Sequence, residues 1–382
     1  MFCEHCGTAL PEGARFCGTC GCVVDSADSG PTDKKGSRVG NVIGSAADKL
    51  YEATGGVGHM DLRFRDFFVE IPKKHSRKES DELFICGTSS TTPTITEVSA
   101  VWPKPWIWSR VLLLFVAVTF GFIVIWEGFG NPYALPSIIF IGSLAVPLSV
   151  LVFFFETNAP RNITIIDTVK MFFVGGVLSL LVALPLFDVF PAEAGSFVPS
   201  LFVGLVEEMA KIVVIALFMF AHKGKNYILN GLLIGAAVGA GFAAFESAGY
   251  AFYCLIDDSY SLSMEVIVGR AVLAIGGHVA WAAAEGAALA LCEHEGGFKA
   301  SQLFNPKFVI VAVLCIALHG IWDTSMGLID VPIVSLVSVK SVLLIIAIWV
   351  VLAVMLKRGL DQVNDLASDP AAAEQDAAKE SA

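Results

Sequence analysis

Eight hydrophobic runs, at roughly 107–126, 134–155, 169–190, 200–221, 228–255, 264–292, 308–329 and 333–356, constrain this chain more than any other feature. Each is close to the roughly 20 residues that cross a bilayer as a helix. Lipid offers no partner for backbone N–H and C=O groups, so a spanning run must satisfy them within itself, as an α-helix does. The composition agrees: 55% of the residues are hydrophobic, 16% are charged and the mean hydropathy is +0.70, well above what a soluble core requires. The fold class expected is an all-α polytopic membrane protein with about eight transmembrane helices over residues 107–356.

Charges between the runs give an orientation. Lys and Arg precede the first run and recur at Arg161, Lys223, Lys225, Lys299, Lys307, Lys357 and Arg358. The alternate loops, around Glu127, Glu193, Asp257, Asp258 and Asp330, hold neither. By the positive-inside rule both termini face the cytoplasm, in a multi-pass protein of the cell membrane. The net charge of −11 resides largely in loops and in an acidic, Ala-rich tail over 357–382 that is expected to be disordered. That balance argues against a nucleic-acid partner. No amino-terminal signal peptide is expected, because the chain opens on polar, cysteine-rich sequence.

Four of those first cysteines form two C-x-x-C pairs ten residues apart, Cys3 with Cys6 and Cys17 with Cys20, each pair followed by glycine. Such turns aim two thiolates each at one tetrahedral ion, so residues 1–22 read as a zinc ribbon binding Zn2+. Disulfides are the alternative, disfavoured by the reducing cytosol to which the orientation assigns this end. So short a segment folds on its metal. It is expected to dock a cytosolic protein partner or to regulate the membrane domain. Residues 23–60, rich in Ser, Gly, Asp and Lys, read as a flexible linker. Residues 61–106 form a juxtamembrane segment. It reads either as a plain collar or as an interfacial element with Phe67 and Phe68 at the membrane surface and Lys73, Lys74, Arg77 and Lys78 near anionic headgroups. Cys86, Cys254, Cys292 and Cys315 read as small buried apolar residues.

Ionisable residues lie inside four consecutive runs. The fourth carries Glu207, Glu208 and Lys211, the fifth Glu246, the sixth Arg270, His278 and Glu285, and the seventh His319 and Asp323. A charge at mid-membrane costs about 3 kcal/mol even on the mildest scale, so three within five residues need partners or a job. Lys211 is i+4 from Glu207 and i+3 from Glu208, within reach of either on a helix, which explains one carboxylate and leaves the other. His319 and Asp323 are also i, i+4, so the carboxylate can orient the imidazole. Small residues at Gly231, Gly235 and Gly239, and at Ala271, Ala274, Gly277 and Ala280, permit close helix approach. Lys211 and Arg270 read as supporting counter-ions, and for Glu285 a buried position and an aqueous vestibule both stay open.

Two chemistries can use this set. A glutamate can deprotonate a water that attacks a carbonyl while a histidine stabilises the oxyanion, with or without Zn2+ in the membrane site. Alternatively, a non-proteolytic transporter or sensor can use the acids and histidines for protons or a solute.

Glu207, Glu208 and Lys211 match E-E-x-x-K, Phe242 and Glu246 match F-x-x-x-E, and His319 and Asp323 match H-x-x-x-D, in that order on successive spans. This resembles the PrsW family of intramembrane proteases, which is distantly similar to the CAAX prenyl endopeptidase and bacteriocin-immunity (Abi) superfamily. The resemblance covers about 107–356. It implies an intramembrane endopeptidase that cuts a membrane-associated protein, such as an anti-sigma factor or another signalling protein, within the lipid bilayer. It further implies that Glu207 and Glu208 activate water and that His319 with Asp323 binds the oxyanion or a metal. Glu246 takes the place that the CAAX enzymes fill with histidine. His278, in GRAVLAIGGHVAW, is similar to a family segment and joins the implied catalytic set.

Overall fold

Each of the eight runs contains helix, although among the described residues the seventh is helical only to Asp323 and the eighth only from Val339. The computed structural model describes residues 38–369 apart from 192–193, 223–225, 258–259, 294–296, 326–331 and 335–336. Cys3, Cys6, Cys17 and Cys20, and the tail beyond 369, therefore lie outside the described residues. Residues 46–382 form one compact unit and residues 1–45 a second, of which only 38–45 are described.

The membrane part comprises α3 (Ile107–Phe129), α4 (Ala134–Thr157), α5 (Ile165–Lys170), α6 (Gly176–Val189), α7 (Phe197–Ala221), α8 (Ile228–Ile256), α9 (Tyr260–Leu273), α10 (His278–Leu291), α11 (Pro306–Asp323) and α12 (Val339–Ala367). A π-helical turn, Met171–Gly175, joins α5 to α6 in one span, and a 3-10 turn, Ala274–Gly276, joins α9 to α10 in another. Among the described residues seven spans are long and apolar enough to cross a membrane. α7 is not one of them, because its 25 otherwise apolar residues carry Glu207, Glu208 and Lys211. The protein is an all-α, multi-pass membrane protein. Its strands among the described residues, Pro332–Val334 and Val337–Ser338, form a short antiparallel hairpin between α11 and α12.

α8 is the axis of the bundle and α10 packs most closely on it. The approach is set by small residues: a Cβ on Gly235 would fall 2.0 Å from the Ala282 carbonyl oxygen, and one on Gly231 would fall 2.2 Å from that of Gly286. Gly241 meets the π-helical turn, where its Cβ would lie 1.9 Å from the Phe172 carbonyl oxygen. The sixth span is not one continuous helix. At Gly277 (φ −98, ψ −143) the backbone leaves helical geometry, and α10 restarts at His278. The interruption frees backbone groups that lipid cannot satisfy. The Trp349 indole on α12 donates to the Ile275 carbonyl at 2.8 Å and answers one of them.

Before the membrane part come α1 (Arg38–Ala53) and α2 (Arg77–Phe84). α1 lies within the stretch that composition marks as a linker. Beyond residue 45, its Ala47 and Tyr51, at i, i+4, are buried against Val354 of α12, apolar spacing that Ser and Gly content conceals. α12 likewise continues to Ala367, eleven residues into the stretch read as tail, where Leu360 and Val363 are buried. Phe67 is not at a membrane surface. It is buried against Trp102, Phe153 and Trp349, while Phe68 is exposed. The basic residues beside it are largely paired locally, Lys73 with Glu70, Arg77 with Asp81 and Lys78 with Glu82. Glu156, near the end of α4, accepts from the backbone N–H groups of Trp106, Ile107 and Trp108 at 2.8, 2.8 and 2.9 Å. It thereby answers the orphaned donors and positive end of α3. Cys86, Cys292 and Cys315 are buried and Cys254 is half-buried, all as free thiols.

Candidate active site in the membrane

The ionisable residues of spans four to seven meet in one cluster. α7 contributes Glu207, Glu208 and Lys211, and all three side chains are buried. Although adjacent in sequence, the two glutamates face different neighbours. Glu208 Oε1 accepts from Lys211 Nζ at 2.7 Å and lies 2.6 Å from His319 Nδ1. Glu207 turns the other way: its Oε2 stands 3.6 Å from His319 Nε2 and 3.9 Å from His278 Nδ1. That oxygen is buried and has no hydrogen-bond partner.

Each histidine is gripped from behind. Glu208 holds Nδ1 of His319, and Asp323 lies 3.4 Å from Nε2. His278, the first residue of α10, has Nε2 at 2.9 Å from Glu246, and its Nδ1 accepts from Lys211 Nζ at 2.9 Å. Glu246 is also paired with Arg270, whose Nε donates to Ser247 Oγ at 2.8 Å. Carboxylates behind imidazoles fix the tautomer and orientation of the nitrogens that remain. Lys211 and Arg270 are thus the counter-ions, and Glu207, Glu208, Glu246, His278, His319 and Asp323 all belong to the connected set.

Trp281, Trp322 and Lys340 had no sequence signal, while Phe242 and Glu285 did. Trp281 stacks on His319, with centroids 4.5 Å apart and planes at 24°. Phe242, which sequence alone leaves as a lipid or core contact, is buried with its ring 5.0 Å from Lys211 Nζ, and Trp281 faces the same ammonium at 5.7 Å. Trp322 meets Trp281 edge-on. Lys340, from α12, donates to the carbonyls of Trp322 and Thr324 at 3.1 and 2.5 Å, capping the end of α11 beside Asp323. Glu285 faces no vestibule. It is fully buried beside Glu208, and neither carboxylate oxygen has a hydrogen-bond donor. The i, i+3 spacing in α10 that pairs His278 with Trp281 was readable, but not which ring it would serve.

The cluster suits a metal ion in kind. Glu207, His278 and His319 each offer a ligand atom, all within 4.8 Å of one another, and two imidazoles with a carboxylate make a familiar zinc set. The connected residues carry four carboxylates, Glu207, Glu208, Glu246 and Asp323, against two fixed cations, Lys211 and Arg270. Lys211 keeps Glu208 as an acceptor if His278 turns its lone pair elsewhere. The unpartnered oxygen of Glu207 lies 3.6 Å from His319 Nε2 and 3.9 Å from His278 Nδ1, within reach of both imidazoles.

The cluster lines a cavity of about 1120 Å³ bounded by α6, α8 and α9. Its walls are largely apolar apart from the cluster, Tyr250 and Tyr253 of α8, and Glu265 of α9.

Comparison with known proteins bears on this region. The family described as "PrsW family intramembrane metalloprotease" matches residues 164–355, which contain every residue of the cluster. Protease PrsW of Clostridioides difficile (strain 630) is 28% identical over 165 residues, covering 42% of this chain and 66% of that protein, just under two thirds of its length. Protease PrsW of Halalkalibacterium halodurans is 26% identical over 186 residues, covering 47% of this chain and 80% of that protein. No solved structure gives a significant match.

Proposed function

The chain belongs to the PrsW family of intramembrane proteases, and from that premise we propose that it hydrolyses a peptide bond of a membrane-associated protein with a water activated at Glu207. The observation that carries this reading is the buried, unpartnered Glu207 Oε2, which opens on the cavity between two held imidazoles. Packing offers no reason to bury such an oxygen, whereas a general base needs one.

Glu207, His278 and His319 would hold an ion, which would polarise the scissile carbonyl and lower the pKa of a bound water. The rest of the chemistry falls to the side chains. Water gives a proton to Glu207 as its oxygen bonds to the carbonyl carbon, and the former carbonyl oxygen becomes an oxyanion. A protonated His319, with Nδ1–H on Glu208, would present its Nε2–H to that charge, whereas with an ion held that nitrogen would be a ligand instead. The C–N bond then breaks, and Glu207 returns its proton to the departing nitrogen. Glu246, Arg270 and Lys211 keep His278 oriented, and Asp323 does so for His319 from the far side. The substrate class is a membrane-embedded signalling protein or anti-sigma factor. Both termini face the cytoplasm, and residues 1–22 hold a second zinc and dock a cytosolic partner.

The test compares purified chain with its Glu207→Gln variant on a library of single-span peptides in vesicles, with products read by mass spectrometry. The variant is expected to lose about 10²–10⁴ in rate, the usual worth of a positioned base. Equal cleavage by both, or none by either, overturns the reading. Metal analysis of the full chain supplies a second test. Cys3→Ser with Cys6→Ser is expected to remove one zinc, and His319→Ala a different one. If either leaves the count unchanged, the corresponding site is lost.

The break at Gly277 favours a second reading, since interrupted spans are common in solute carriers. Library cleavage that depends on Glu207 separates the two.

A further inference from the structure

The chemistry above leaves one buried acid without a task. Glu285 lies on α10 seven residues beyond His278, about 10 Å along the helix. It is fully buried, and among the described residues neither of its oxygens meets a donor. The nearby Cys315 thiol does not serve it, because that thiol is directed at the Trp281 carbonyl at 3.6 Å. What Glu285 does meet is a second acid, Glu208 of α7, whose carboxyl lies within hydrogen-bond reach.

Glu208 uses its two oxygens unequally. Oε1 takes Lys211 Nζ at 2.7 Å and His319 Nδ1 at 2.6 Å, whereas Oε2 is buried with no donor. Three of the four oxygens in this carboxyl pair are therefore without a donor, and a single hydrogen held between the two groups answers the contact. Two bare carboxylates side by side would repel, the more so away from water. The neighbours decide which acid carries the hydrogen. Glu208 has an ammonium and an imidazole to balance its charge, and Glu285 has neither.

Such a bond reaches both imidazoles. With Oε2 held, the Glu208 carboxylate cannot turn about its last torsion, so Oε1 stays on His319 and on Lys211. Lys211 in turn donates to His278 Nδ1 at 2.9 Å. Resting on the proteolytic reading above, we propose that Glu285 is a positioning residue, whose carboxyl O–H donates to Glu208 Oε2 and through Glu208 holds His319 and, by way of Lys211, His278.

Infrared absorption of the full chain in an ester-free detergent tests the bond without reference to activity. The spectrum of the parent minus that of Glu285→Gln should show the carbonyl stretch of a neutral carboxylic acid, and Glu208→Gln should shift that band without removing it. An absent band, or one that Glu208→Gln leaves in place, overturns the proposal. Kinetics on a library peptide that the parent cleaves test the positioning. Glu285→Met, similar in length but with no donor, should lower kcat about tenfold with KM unchanged, the equivalent of one hydrogen bond. Glu285→Gln, whose amide N–H can stand in for the hydroxyl, should restore most of that rate. Equal rates in the two variants, both high or both low, overturn the role. Should Glu285→Met fail to fold, Glu285→Asp, which withdraws the hydroxyl by one methylene, takes its place with the same loss expected. A parent that cleaves nothing removes the proteolytic reading, and the infrared bands then decide the Glu285–Glu208 bond alone.

Discussion

α3 and α8 are both apolar enough to cross a membrane, and α3 is the more apolar of the two, yet they lie at opposite extremes of the bundle. In α8, 94% of the spanning stretch is buried inside the protein, and in α3 none of it is. What separates them is side-chain size. Lipid solvates Leu and Phe as well as another helix does, so apolarity assigns both segments to the membrane and neither to the centre. The glycines of α8 let the backbones of two neighbouring spans reach it, whereas Gly121 and Gly128 of α3 have nothing within 4 Å of where a Cβ would be. The axial helix is therefore also the one that can bring acids and histidines from four spans together.

The sharpest way to break this contrast is Gly235→Leu. With its Cβ 2.0 Å from a backbone oxygen of α10, the two helices must separate, at a cost above about 4 kcal/mol. Thermal unfolding in detergent should show no folded population. A folded variant would mean that α8 and α10 are not locked as described. Glu156→Gln comes next, since it removes the charge that accepts three N–H groups of α3. A loss of about 1–3 kcal/mol is expected, read as protease sensitivity near Trp106 with the α8–α10 core intact. The smallest effect should be Gly121→Leu, within about 0.5 kcal/mol. A marked loss of melting temperature there would show that a partner covers α3.

Much of this was readable in the sequence, because lipid enforces simple rules. Runs of sufficient length had to be helices, and acids and histidines in four consecutive spans had to find one another. The departures share a cause, namely contacts that one segment makes with another far along the chain. The Gly276–Gly277 pair is the local sign of the break in span six, but Trp349, which answers the carbonyl freed there, lies far along the chain. The division of Glu207 from Glu208 is set by His319 on α11 and His278 on α10. Adjacent residues on a helix point about 100° apart, but only the neighbouring spans decide which direction meets lysine and which meets the cavity. α1 was concealed for a similar reason, as its buried Tyr51 needs Val354 to make sense of it.

The interruption at Gly277 has a mechanical side. A continuous span is a single rod, and pushing one end moves the other. Here the rod is cut, with α9 forming a wall of the cavity and α10, fastened to α8, beginning at His278. The two halves of the crossing are therefore positioned separately, α9 by its packing on α4 and α8 and the start of α10 by the glycines of α8.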